Sequence, residues 1–248
     1  MLKNLYMEKI GRQAKIASED LFKLSISKRN AVLKQFSIYL KKNSKLILKA
    51  NQKDILNAKK NKNNVISRLA LNEKKIYEIT LAIKKIIKFK DPLRKNLLSW
   101  KRPNGLFIKK ISIPIGVIAT IYESRPNVTS DISALCFKSG NAVILKGGSE
   151  AFHSNEILSN LFRKALKKKE CNENCVQLIK SKNKKNVDYL LTKMQNYIDV
   201  LIPRGGKSLV KKVQAKSKIP FIGHLEGICH VYVHKDANLN MAIKVIKN

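Results

Sequence analysis

Between Pro114 and Val233 the chain keeps returning to one alternation: a short apolar run, a helical stretch, another short apolar run. The runs are Ile115–Tyr122, Ala142–Leu145, Val176–Ile179, Ile198–Ile202 and Ile228–Val233. Strands that are apolar on both sides of the pleat need cover on both faces. Helical patterns lie between them, at Val128–Lys138, Ala151–Lys168, Lys184–Met194 and Lys207–Ala215. Strand, helix, strand, helix specifies a parallel sheet with helices on both faces, so the expected fold class is α/β.

The chain before this region obeys a different period. The stretches "SISKRNAVLKQFSIYLKKN", "SKLILKANQKDILNAKKN" and "NEKKIYEITLAIKKIIKF" repeat apolar residues at spacings of three and four, the mark of amphipathic helices. Asp91-Pro92 ends that pattern. A β-like segment follows, with Phe107, Lys109, Ile111 and Ile113 alternating against Leu106, Ile108, Lys110 and Ser112. The expected organisation is a helical part over residues 1–95, a β segment over 96–113 and an α/β region over 114–248.

A net charge of +34 first suggests nucleic acid. Only eight of the 51 basic residues are arginines, however, and the lysines are spread along the whole chain without a tail or stripe. Base readers favour the guanidinium fork. The expected reading is lysines on solvated faces, with salt-sensitive sticking to polyanions but no specific nucleic-acid partner. No apolar run approaches the roughly 18 residues of a membrane span. The N-terminus, with Glu8, Glu19 and Asp20, has no apolar core of a signal peptide. Four cysteines (Cys136, Cys171, Cys175 and Cys229) are no disulfide framework for 248 residues, so a reducing, cytoplasmic setting is expected.

Two strands end alike. Ala142–Leu145 runs into Lys146-Gly147-Gly148-Ser149, and Ile198–Ile202 into Arg204-Gly205-Gly206. Each turn opens a helix, whose unpaired N–H groups and dipole favour an anion. Open α/β sheets bind ligands at the carboxyl ends of their strands. A lysine and two glycines would serve a tight turn equally well. Finding the arrangement twice favours a shared anionic ligand such as a dinucleotide, which the glycines would let approach the backbone. Between the first strand and its helix lies Arg125-Pro126-Asn127; the two polar side chains could bind a substrate anion and donate to an oxyanion, or Asn127 could cap the helix with Arg125 in solvent. Thr129, Ser130 and Asp131 are expected at the start of that helix, with Val128, Ile132, Leu135 and Cys136 on its apolar face. His224, Glu226, Cys229 and His230 cluster in sequence, but Cys229 and His230 would point to opposite faces of a strand, and no metal site is expected.

The strings "PIGVIATIYESRPNVTSDISALCFKSGNAVILKGGSEAFHSN", "YIDVLIPRGGKSLV" and "IPFIGHLEGICHVYV", with "ANQKDI" and "SRLALN" nearer the start, resemble the gamma-glutamyl phosphate reductases of the aldehyde dehydrogenase superfamily. The resemblance runs the length of the chain. It implies an aldehyde dehydrogenase-like fold: the helical N-terminal region followed by a Rossmann-like parallel sheet. It also implies NADPH as cofactor and L-glutamyl 5-phosphate as substrate, reduced to glutamate 5-semialdehyde and phosphate in proline biosynthesis. Glutamate 5-kinase is the pathway partner it implies, and a homo-oligomer the state of the full-length enzyme. In that chemistry a cysteine thiolate displaces phosphate, and hydride reduces the resulting thioester.

The resemblance assigns Lys146 to the cofactor's adenosine ribose and the "LIPRGG" turn to a second cofactor loop. It assigns the "YESRPN" loop to the oxyanion hole. An ungapped match puts Arg125 there and a two-residue shift puts Asn127 there. Asn127 is the expected donor, because only its side-chain amide can play the same role, and Arg125 is then the expected binder of a substrate anion. His224 falls where the wider superfamily keeps a general base and is given no role. The nucleophilic cysteine of these reductases sits in an R-P-S-x-C-N motif, which this sequence lacks. The expectation is a cofactor-binding part that does not itself catalyse the reduction. The alternative is a catalytically inactive chain that binds NADP(H) or a full-length partner.

Overall fold

The computed structural model describes residues 4–61, 65–181, 183, 185–223 and 230–247. Among the described residues five helices come first: α1 (Leu5–Lys23), α2 (Ile26–Lys42), α3 (Ser44–Lys60), the short α4 (Ile66–Leu69) and α5 (Glu73–Lys88). Side-chain oxygens of Asn4, Ser25 and Asn72 accept from backbone N–H groups in the first turns of α1, α2 and α5, satisfying donors that a helix start leaves unpaired. An antiparallel hairpin follows, β1 (Asn96–Lys101) and β2 (Phe107–Ile111), with Gly105 in the turn at φ 86°. It forms its own two-stranded sheet and is exposed along nearly its whole length.

The main sheet is built from β3 (Val117–Tyr122), β4 (Ala142–Gly147), β5 (Val176–Leu178) and β6 (Val200–Arg204). Helices α6 (Pro126–Lys138), α7 (Phe152–Lys168) and α8 (Lys185–Lys193) lie between these strands, and α9 (Lys207–Lys216) and α10 (Leu239–Lys247) follow. All strand pairings are parallel and the order is β5-β4-β3-β6. The pleat divides β3 between two cores. Ile118 and Tyr122 join Val143 and Leu145 in a cluster with α2, α5, α6 and α7. Val117, Ala119 and Ile121 join Ala142 and Ile144 in a second cluster with α1 and α8. Helices on both faces account for the uninterrupted apolar strands. No described helix is long and apolar enough to cross a membrane.

Two details depart from the sequence reading. Ile228 and Cys229 lie outside the described residues, and His230–Val233 forms no strand and is exposed. The place beside β6 is taken instead by a bridge between Leu201 and Phe221, where Leu201 donates to Pro220 and accepts from Ile222. The second departure concerns α6, which starts earlier, with Pro126 in its first turn, where a missing N–H costs nothing. Thr129, Ser130 and Asp131 are therefore inside the helix and not at its cap. Its buried face carries Thr129, Ser130, Ser133, Ala134 and Phe137, while Leu135 is 46% exposed. Small side chains let this helix lie close against its neighbours.

Buried polar groups fasten the first helices to the sheet layer. Asp54, 1% exposed, accepts from His153 N, Ser154 N and Ser154 Oγ at 3.0, 2.8 and 2.7 Å, and so caps α7 from another helix. Asn51, one turn earlier on α3, donates to Leu69 O and Ser154 Oγ and accepts from Leu71 N at 2.8 Å. Arg29, 2% exposed, reaches Asp91 at 2.6 Å and donates to the carbonyl of Lys138 at the end of α6. Removing one partner from such a buried set strands the others. Asp54→Ala is expected to lower unfolding stability by about 2–4 kcal/mol, since it strands buried donors and removes a helix cap. The urea midpoint should fall with little change in slope, and exposed Lys53→Ala should leave it in place.

Candidate functional site at the strand ends

The register brings three strand ends level. Tyr122 pairs with Gly147 on one side and with Arg204 on the other. From β3 the chain builds outward through β4 to β5, then returns to place β6 on the opposite side of β3. That reversal is the topological switch point of an open α/β sheet, where a crevice forms beyond the strand ends. A crevice of about 340 Å³ is present there, lined by Tyr122, Glu123, Arg125, Val128, Arg204, Gly205 and Gly206, with Arg68 from α4.

The structure thus brings Arg125 together with Arg204-Gly205-Gly206. Arg125 is the exposed residue before α6, and Arg204 is the exposed last residue of β6. Among the described residues neither guanidinium has an ion pair. Among the described residues Glu123 is the one carboxylate lining this crevice. Its Oε1 accepts from Gly206 N at 2.7 Å, at the start of α9, and its Oε2 lies 3.5 Å from Arg68 Nη1.

Lys146 and its glycines are not next to the Arg204 turn, because β3 runs between β4 and β6. Lys146 pairs with Ile121 and Arg204 with Tyr122, one residue out of step, so the pleat sets the two cations on opposite faces. The Lys146-Gly147-Gly148-Ser149 turn lines a small enclosure with Phe152, Asn155, Leu178, Ile179 and Ser181. Lys146 is half-buried and donates from Nζ to Gly147 O at 3.0 Å. Burial lowers its pKa below that of an ordinary lysine, against an opposing pull from the Glu150 charge. The two turns are joined through the loop after β3: buried Ser124 donates to Glu150 Oε2 at 2.8 Å, while Glu123 holds Gly206. Burial pushes the Glu150 carboxyl up. Hydrogen bonds from its own N–H, Ser124 and Ser149, with the Lys146 charge, outweigh that, and its pKa falls.

Asn127 sits in the first turn of α6 and opens into an adjoining cleft of about 320 Å³ with Lys75, Glu78 and Asp131. Its Nδ2 donates to Asp131 Oδ2 at 3.2 Å. The other oxygen of Asp131 is buried without a partner, and burial raises the pKa of this carboxyl despite the Asn127 hydrogen bond. Arg68 lines both clefts. Arg68, Glu123 and the Ser124–Glu150 contact were missed in the sequence. No periodicity marks them, and Arg68 stood out there only within the string "SRLALN". The thiols of Cys136 and Cys175 are buried and pushed up to about 12, and burial also raises that of Cys171. His224, Glu226 and Cys229 lie outside the described residues. Among the described residues no group of three or more His, Cys, Asp or Glu could hold a metal.

The glycines of the two turns differ in what they permit. None has a positive φ. A Cβ on Gly147 would overlap the Asn155 amide and lie 3.1 Å from the Tyr122 ring. Those two side chains are fixed by Thr129, which contacts Tyr122 Oη at 2.7 Å and Asn155 Oδ1 at 2.8 Å. Gly147 therefore makes room for protein. A Cβ on Gly206 would meet only Glu123, at 3.5 Å. Gly147→Ala is expected to destabilise the ligand-free chain by about 1–3 kcal/mol through overpacking, and Gly206→Ala by under about 0.5 kcal/mol, as thermal melts would show.

Residues 4–248 match the aldehyde dehydrogenase family. The gamma-glutamyl phosphate reductase of Carboxydothermus hydrogenoformans is 45% identical over 241 residues, 96% of this chain and 58% of its own length. That of Nautilia profundicola is 43% identical over 246 residues, 98% of this chain and 59% of its own. The crystal structure of the Thermotoga maritima reductase superposes with a TM-score of 0.91 at 34% identity, covering 97% of this chain and 58% of that one. The Saccharomyces cerevisiae reductase superposes with a TM-score of 0.80 at 31% identity, covering 99% and 62%. The chain spans about 58% of the length of the curated relatives it matches first. With the family match covering residues 4–248 and the fold superposing across nearly the whole chain, the protein belongs to the aldehyde dehydrogenase family.

Proposed function

We propose that this chain supplies the cofactor-binding part of an NADPH-dependent gamma-glutamyl phosphate reductase, acting on L-glutamyl 5-phosphate to give L-glutamate 5-semialdehyde and phosphate. The observation that carries this reading is the level set of strand ends, with cations on both sides of β3. The reductases named above, 45% and 43% identical to this chain, supply the substrate class. The helical part over 1–95, the β segment over 96–113 and the region over 114–248 then form one cofactor-binding unit.

The donor set suits a dinucleotide. The Arg204 guanidinium, without an ion pair among the described residues, a half-buried ammonium and the start of α9 offer positive charge where a pyrophosphate and ribose would lie. Lys146, with Gly147, Gly148 and Ser149, holds the adenosine ribose side; Arg204, Gly205 and Gly206 hold the second cofactor loop. When bound, NADPH supplies hydride. Arg125 binds the substrate anion. Asn127, in the adjoining cleft, donates to the oxyanion through Nδ2 once Asp131 releases it. The described thiols do not serve as the nucleophile, because burial holds each of them protonated near neutral pH.

Two outcomes test this reading. The 248-residue chain should bind NADPH, followed by quenching of its fluorescence or by calorimetry, and should bind NADH more weakly. Mixed with L-glutamyl phosphate and NADPH, it should show no loss of absorbance at the nicotinamide band, and steady turnover would overturn the assignment of a binding part. Lys146→Ala should weaken NADPH about tenfold, or about 1.4 kcal/mol. Because burial lowers the Lys146 pKa, the ammonium deprotonates at a lower pH than an ordinary lysine. Affinity should therefore fall as pH rises toward the alkaline range. Lys146→Arg, which keeps its charge, should flatten that fall.

A further inference from the structure

Arg68 is held in an unusual way for an exposed side chain. The chain immediately after it is fixed: buried Asn51 takes Leu69 O at 2.9 Å and Leu71 N at 2.8 Å, and Lys75 Nζ donates to Ala70 O at 2.6 Å. Leu69 itself is fully buried. The guanidinium, in contrast, is only loosely engaged. Its contact with Glu123 is 3.5 Å long, with the two side chains 55% and 44% exposed. An exposed ion pair of that length contributes little. The fold thus clamps the base of an arginine over two clefts and leaves its charged end nearly free. The crevice that it overhangs already holds Arg125 and Arg204.

We propose that Arg68 is a further guanidinium contact for a phosphoryl group bound at the strand ends, parked against Glu123 until that ligand arrives. This rests on the proposed function of the crevice and adds a residue to it. A guanidinium fork meets a phosphate through two parallel N–H bonds, a stronger arrangement than the long contact it makes now. Glu123 acts in opposition. It is the only carboxylate lining the crevice among the described residues, and it occupies both Arg68 and the Gly206 N–H. A phosphate entering there is repelled by Glu123 and takes over its partners. The phosphoryl group has two possible sources, the dinucleotide's pyrophosphate and the acyl phosphate of the second substrate.

Arg68→Gln and Glu123→Gln in the 248-residue chain separate these cases, with NADPH and inorganic phosphate titrated separately by calorimetry. Far-UV circular dichroism and urea midpoints matching the parent would establish that both variants are folded. Arg68→Gln is expected to weaken at least one probe about tenfold, the loss of a bidentate charged contact, and Glu123→Gln to strengthen the same probe. Arg68→Lys should recover only part of the loss, because it restores charge without the fork. A loss confined to NADPH assigns Arg68 to the pyrophosphate, and a loss confined to inorganic phosphate assigns it to the acyl phosphate. Arg68→Gln binding both probes within twofold of the parent would overturn the proposal. A parent chain that fails to bind NADPH would sink the cofactor reading, while the inorganic-phosphate titration would still decide the role of Arg68.

Discussion

β3 is enclosed on every side, and its position fixes everything at the site. It has a parallel neighbour at each edge, helices on both faces and six buried residues. Slipping by one residue would turn Ile118 and Tyr122 out of one core and Val117, Ala119 and Ile121 out of the other. The register is therefore strongly specified, and with it the alignment of Gly147, Tyr122 and Arg204. Loops that leave a fixed row of strand ends start from fixed points. Glu123 and Ser124 can then reach sideways to Gly206 and Glu150, tying each flanking turn to the central one.

The helical layer contributes more than cover for one face. Asn51 and Asp54 lie one turn apart on α3, so one side of a single helix both caps α7 and grips the Leu69–Leu71 segment. These contacts bridge sequence separations of about a hundred residues at Asp54 and twenty at Asn51. Buried polar groups of this kind are costly when broken and directional when made, which suits them to placing a loop. Apolar packing alone would hold α3 against α7 without fixing the Leu69–Leu71 segment that follows Arg68.

Much of the architecture was legible because its causes are local. Period-three-and-four spacing foretold α2, α3 and α5, and uninterrupted apolar runs foretold a parallel sheet covered on both faces. The misreadings share a cause, which is that packing partners are invisible in a linear string. Thr129 and Ser130 look like cap residues, yet they are buried because α6 packs closely through them. Leu135 looks like core and is half exposed. Apolar composition suggested a strand at Ile228–Val233, of which the described His230–Val233 form none, and Phe221 holds the position beside β6. The strand-end glycines were visible, while the reason for Gly147 was not, since Asn155 and Tyr122 come to it from α7 and β3. Arg68 was hidden most completely, because nothing about its neighbours in sequence reveals that α4 hangs over the crevice.

The crevice at the switch point joins pieces of chain that are far apart: Arg68 and Glu123 are 55 positions apart, and Glu123 and Gly206 a further 83. Its walls come together only where β6 has added to β3, a long-range parallel pairing. A ligand spanning these walls would bind the completed fold and not its precursors, and so shift the folding equilibrium toward completion by mass action. A chain in which β6 has not joined β3 lacks the Arg204-Gly205-Gly206 wall of this crevice, so the crevice exists only in the completed sheet.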